Sequence, residues 1–248
     1  MPLMDEFKEE REAIKQKGLK EKFAYFFYYY KWHVVAVAVV AAVVISLISH
    51  FINRKPWAVY ICLINATPGA QSEEYIESFA EYAGIDTDHY EAVFDTSLYI
   101  DPNMTDSATA NSMQKLAVYI FSADLDVMVS EPAVIERYTN RQTFYDLRDL
   151  LNPEQLAFYE PYFYYVDQTV IDAITAADDK GQSYDGGYPD PRQPDAMENP
   201  IPVGIYLDDC PQLREHFYFP SEELVLGVFI NSSKTETALQ FLDFIMQH

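Results

Sequence analysis

The run Trp57-Ala58-Val59-Tyr60-Ile61-Cys62-Leu63-Ile64 is continuously apolar and ends at the turn-forming cluster Asn65-Ala66-Thr67-Pro68-Gly69. Apolar residues at every position, as opposed to every second one, mark a strand covered on both faces. Three further runs share the pattern: Asp126-Val127-Met128-Val129, Ile201-Pro202-Val203-Gly204-Ile205-Tyr206-Leu207 and Leu224-Val225-Leu226-Gly227-Val228-Phe229-Ile230. Helical spacing fills the intervals. Ser72 is expected to cap a helix over residues 73–83, with Ile76, Phe79 and Ala80 on one side. Residues 106–121 place Met113, Leu116, Ala117 and Ile120 on one face of a second helix. Asn152-Pro153-Glu154-Gln155 has the cap, first-turn proline and glutamine of a helix start, and Ser233-Lys234-Thr235-Glu236 reads as a capping box. The last helix then shows Ala238, Phe241, Leu242 and Ile245 on one face. Strands alternating with helices predict an α/β domain over residues 57–248, a mostly parallel sheet sandwiched by helices.

Upstream of Trp57, a short linker containing Arg54, Lys55 and Pro56 leads back to residues 34–52, which carry no formal charge and are mostly Val, Ala, Ile and Leu. At ~1.5 Å rise per residue such a helix covers the ~30 Å hydrocarbon core of a bilayer, so this segment is expected to cross the lipid bilayer once. Seven of the eight residues from Tyr25 to Trp32 are aromatic, the composition of an interfacial belt, and Lys31 can snorkel among them. Phe51-Ile52-Asn53-Arg54 offers no small-residue cleavage site, so the segment reads as a retained anchor. Of 17 basic and 39 acidic residues, seven and six precede the span. Cationic loops resist translocation, which predicts a cytoplasmic tail over residues 1–33, with a solvated helix over 5–17, and an extracytoplasmic domain beyond. That domain keeps ten basic and 33 acidic residues, a formal charge of −23. A surface this acidic repels phosphate backbones and excludes nucleic-acid partners.

Little in the chain points to catalysis. There is no GxSxG elbow, HExxH helix, phosphate loop or GxGxxG turn, and no cofactor is called for. Beyond the span the histidines are His89, His216 and His248, and Glu215-His216 reads as a surface pair. Cys62 and Cys210 form no CxxC motif; a bridge between them is chemically permitted outside the cytoplasm, and two separately buried thiols is the plainer reading. Residues 178–199 are polar and turn-rich, too long for an ordinary connection, and are expected to form a mobile acidic loop. Asp178, Asp179 and Asp185 lack the DxDxDG spacing of a calcium loop. The aromatic run from Phe158 to Tyr165 could stack on sugars or a partner, or line a half-buried strand.

Three segments resemble the bacterial type 2 extracytoplasmic solute-binding proteins of ABC importers. Asp126-Val127-Met128-Val129-Ser130-Glu131 through Thr143-Phe144-Tyr145-Asp146-Leu147-Arg148-Asp149-Leu150-Leu151 is similar to that family's strand, short helix and aspartate turn. Pro200-Ile201-Pro202-Val203-Gly204-Ile205-Tyr206 resembles its lobe-crossing strand, and residues 224–247 resemble its closing strand, turn and helix. In that family a whole lobe lies between the crossing and closing strands, whereas here only residues 208–223 intervene. The resemblance therefore implies a single lobe, without the hinge closure that buries a ligand from both sides.

Open α/β sheets bind ligands outside the carboxyl ends of their strands, which nominates Asn65, Thr67, Ser130, Glu131 and Asp208. Two functions compete for that edge. One is docking on another cell-envelope membrane protein, and the other is weak binding of a small solute or cation.

Overall fold

A computed structural model describes residues 18–52, 55–103, 106–208 and 210–246. The chain divides into two units, at residues 1–54 and 55–248. In the first, helix α1 (Leu19–Ile52) contains the window Tyr30–Ser49, of mean hydropathy 2.4, with none of it buried. Among the described residues it is the one helix long and apolar enough to cross a membrane. The helix expected over residues 5–17 lies outside the described residues.

The second unit is an α/β sandwich on a six-stranded sheet. Its strands are β1 (Trp57–Leu63), β3 (Glu91–Asp95), β4 (Val127–Ser130), β5 (Phe163–Asp167), β6 (Pro200–Tyr206) and β8 (Val225–Val228), in the order β3-β1-β4-β8-β6-β5. A separate ribbon pairs β2 (Thr67–Pro68) with β7 (Phe217–Tyr218). The continuous apolar runs became β1, β4, β6 and β8. The sheet, however, is mixed. β3, β1 and β4 pair in parallel, while β8 runs against both β4 and β6, and β5 runs against β6. Four strands therefore point one way and two the other.

Consecutive residues of each central strand feed opposite cores, as a period of two requires. Val59, Ile61, Leu63, Val127, Val129, Leu226 and Val228 face one side. There they meet Phe79 of α2 (Ser72–Tyr82) and Ala238, Phe241, Leu242 and Ile245 of the C-terminal helix, Thr235–Met246. Tyr60, Cys62, Ile64, Met128 and Val225 face the other, under Leu116 of α3 (Ser107–Phe121) and Val134, Ile135 and Tyr138 of α4 (Pro132–Thr139). Both faces are covered, so no alternation with polar residues survives in these strands. Opposite the antiparallel pair, Gly227 lies beneath the Phe144 ring: a Cβ there would come within 2.7 Å of a ring carbon.

Between α4 and β5 the chain forms α5 (Leu147–Leu150), α6 (Pro153–Tyr159) and a 3-10 turn; α7 (Gln168–Asp178), α8 (Pro211–His216) and α9 (Thr235–Met246) complete the layers. The Asn152 capping box is formed at α6, with Gln155 Oε1 accepting from the Asn152 N–H at 3.2 Å. Two other expected caps moved. Gln71 occupies the cap position of α2 while the Ser72 hydroxyl turns back to the Gly69 carbonyl, and Ser232, not Ser233, receives the Lys234 N–H ahead of α9. On α3, Leu116 is buried and Met113 and Ile120 half-buried, but Ala117 is exposed. The aromatic run splits, with Phe158 and Tyr159 ending α6 and Phe163, Tyr164 and Tyr165 starting β5. Both cysteines are buried, and no disulfide joins them. The acidic loop is tied down along its second half: Tyr165 N–H donates to the Pro191 carbonyl, and the Asp167 carboxylate accepts from the N–H groups of Glu198 and Asn199.

Candidate functional site

β1, β3, β4 and β6 all deliver their carboxyl ends to one edge, and the five nominated residues fall there. The structure sorts them into different roles. Asn65 follows β1 in the left-handed region, at φ 61°, a conformation that asparagine tolerates better than most residues. Its side chain is fully engaged: Nδ2 donates to the Ile100 carbonyl at 2.9 Å and to Glu131 Oε1 at 3.0 Å, and Oδ1 accepts the Ile100 N–H at 2.8 Å. Asn65 and Glu131 are thus brought together, as a bracket that pins the chain after β3 to the start of α4. Ser130 is wholly buried, on the face of Met128 and Val225, and its hydroxyl has no hydrogen-bond partner among the described residues.

Asp208 belongs to a second cluster. Arg192, from the acidic loop, grips its carboxylate with two N–H···O bonds of 2.9 and 3.1 Å and reaches Glu223 Oε1 at 2.9 Å. The guanidinium lies 3.5 Å from the centroid of the Tyr206 ring. A planar fork suits this combined bidentate and stacked geometry in a way that a lysine ammonium does not. The hydrogen bonds that Arg192 donates to Asp208 raise its pKa above its already high ordinary value. Burial pushes the Tyr206 hydroxyl up to about 12, although Arg192 works in the opposite direction. β8 lies between β4 and β6, so the strand that leads to Glu131 and the strand that leads to Asp208 are two strand spacings apart, roughly 10 Å.

Thr67 is exposed on the ribbon, opposite Tyr218, which is 68% exposed. The Gly69 N–H closes the ribbon onto the His216 carbonyl at 2.8 Å, and a Cβ on Gly69 would come within 2.9 Å of that oxygen. Phe217, Tyr218's neighbour, is buried against Tyr75 and Phe94, which fixes the ribbon on the sheet.

Sequence reasoning missed Arg192, Tyr206, Glu223 and Tyr218. One signal was present: Arg192 is the sole basic residue between Lys180 and the end of the acidic loop. Among the described residues no group of three His, Cys, Asp or Glu side chains is placed to hold a metal ion, Asp178, Asp179 and Asp185 included. No protein-family model, curated protein or solved structure matches the chain.

Proposed function

We propose that this chain is a membrane-anchored extracytoplasmic interaction domain that docks, through the carboxyl-end edge of its sheet, on another membrane protein of the cell envelope. The tail is cytoplasmic and the α/β domain lies outside, in keeping with seven basic residues before the span and two just after it. The observation that carries the reading is the make-up of that edge. The β2–β7 ribbon presents Tyr218 and Thr67 to solvent, and Arg192 is tied to Asp208 and Glu223 by hydrogen bonds elsewhere along the same edge. Exposed tyrosine and arginine are the residue types enriched at interface centres, and an arginine already held by two carboxylates has less side-chain entropy to lose on binding. The resemblance to a single lobe of a type 2 solute-binding protein supports the same reading, because the segments that carry it are hydrogen-bonded neighbours, β4, β8 and β6. The edge left open in a single lobe is then free for a protein.

A second reading, a weak binding module for a small solute or cation, loses support at this edge because the Asn65 amide and the Asp208 carboxylate already have partners. It gains support from a cleft beside β5, where a carboxylate has none.

A photo-cross-linking residue at position 218 of the full chain in cells should trap one envelope protein, and Asp208→Ala or Thr67→Lys should abolish the product at unchanged protein levels. Protease added to intact cells should remove the domain and spare a tag at Met1. Cross-linking that survives both substitutions would refute the docking edge, and protection of the domain would refute the topology.

A further inference from the structure

The cleft opens between α4, strand β5, the start of α7 and the turn around Pro189 and Pro191. The space it encloses is about 20 Å³. A water needs about 10–15 Å³ on this measure, so the cleft admits one water-sized or ammonium-sized group and nothing larger. Tyr164, 1% exposed, and Tyr188 supply aromatic walls.

Two carboxylates border this space, and they differ. Asp167 accepts backbone N–H groups from Thr169 at 3.0 Å, Glu198 at 2.8 Å and Asn199 at 3.1 Å. Burial would raise its carboxyl, but these donors outweigh burial and hold it below the ordinary range. It is a structural anchor with its lone pairs in use. The Glu136 carboxylate, half-buried in the same cleft, receives no hydrogen bond or ion pair among the described residues. Burial raises its carboxyl against a lowering by Arg137, whose guanidinium donates to the Pro102 carbonyl. Next to it the Asn140 Nδ2 donates to the Tyr188 hydroxyl, which leaves Asn140 Oδ1 buried without a donor.

An unmatched carboxylate and an unmatched amide oxygen around a void of ammonium size call for a ligand with several N–H donors and a positive charge. Aromatic rings suit the same charge through their electron-rich faces. An anion would meet Glu136, and an apolar group would leave both acceptors unpaired. We propose that this cleft binds the primary ammonium group of a small organic amine, with Glu136 as counter-ion, Asn140 Oδ1 as second acceptor, and Tyr164 and Tyr188 as walls. The site rests on the small-cation reading and moves it from the sheet's carboxyl edge to its outer strand. It shares no residue with the docking edge, so the two stand independently.

The test is calorimetric titration of the full chain, in nanodiscs of neutral lipid, with putrescine and with its uncharged analogue 1,4-butanediol. Salt at about 150 mM shortens the Debye length to about 8 Å and suppresses diffuse attraction to the acidic surface. Putrescine should bind and butanediol should not. Glu136→Gln should weaken putrescine at least about tenfold, or 1.4 kcal/mol, with an unchanged melting temperature. Tyr188→Ala should also weaken it, while Asp172→Asn, on the exposed side of α7, should not. Putrescine binding that is unaffected by Glu136→Gln would overturn the site and leave the small-cation reading standing. No heat with putrescine would overturn both.

Discussion

Replacing Asp126 with alanine should be among the most destabilising single changes in the domain, because this carboxylate ties three segments together from inside the core. It is 1% exposed. Its Oδ2 accepts the Tyr60 N–H of β1 at 2.8 Å, its Oδ1 accepts the Ser232 hydroxyl ahead of α9 at 2.6 Å, and Lys234 Nζ lies 3.6 Å away. Its own backbone bonds to the Tyr60 carbonyl and the Phe229 N–H, so the side chain is rigidly placed. Each hydrogen bond to a charged group contributes about 1.5–3 kcal/mol, and alanine would strand a buried N–H and a buried hydroxyl. Release of the carboxylate's desolvation cost offsets part of the loss. The expected net cost is about 3–5 kcal/mol, a large share of a typical 5–15 kcal/mol. An asparagine in its place can keep both bonds, with the Ser232 hydroxyl rotated to accept from the amide, so Asp126→Asn should cost about half as much. Urea denaturation of the full chain in micelles, in a Trp32→Phe background, can be followed through Trp57, whose ring centroid is 4.8 Å from that of Tyr60. Glu77→Ala, on the exposed face of α2, should stay within about 0.5 kcal/mol. An Asp126→Ala cost below about 1 kcal/mol, or one equal to that of Asp126→Asn, would mean that this carboxylate does not hold the three segments together.

Leu242 is wholly buried beneath the sheet, and Leu242→Ala should cost about 2–5 kcal/mol in the same denaturation assay, against at most about 0.5 kcal/mol for the half-buried Gln240→Ala. Equal costs would mean that α9 packs through another face. Asp167 has its carboxyl held below the ordinary value, so its ionised form favours the folded state; that stabilisation is present above the unfolded carboxyl pKa of about 3.9 and disappears as pH falls through the lower folded value. The melting temperature of the wild type should therefore exceed that of Asp167→Asn at neutral pH and converge on it in acid. A constant gap down to about pH 2 would exclude this role.

The strands that the sequence announced are those buried on both faces, because only there does hydrophobic demand fall on every residue. β3 and β5 are harder to see. Glu91-Ala92-Val93-Phe94-Asp95 lies at the edge of the sheet with charged ends, and β5 shares its aromatic run with the end of α6. Caps were legible where the whole box is local, as at Asn152. They slipped by one residue at Ser72 and Ser233, where adjacent polar residues compete and the tertiary path of the turn decides which one faces the helix.

From sequence alone came the apolar helix, the acidic domain, the α/β alternation and the edge at which Asn65, Thr67, Ser130, Glu131 and Asp208 gather. Those follow from period, charge and cap, all properties of neighbouring residues. Strand direction did not, because an apolar run reads the same both ways, and only long-range pairing turned β8 and β5 against their neighbours. Nor did the partners of the site residues. Arg192 meets Asp208 across 16 positions and Glu223 across 31, and Asn65 meets Glu131 across 66, separations at which the contact is set by how the sheet assembles and not by any local preference.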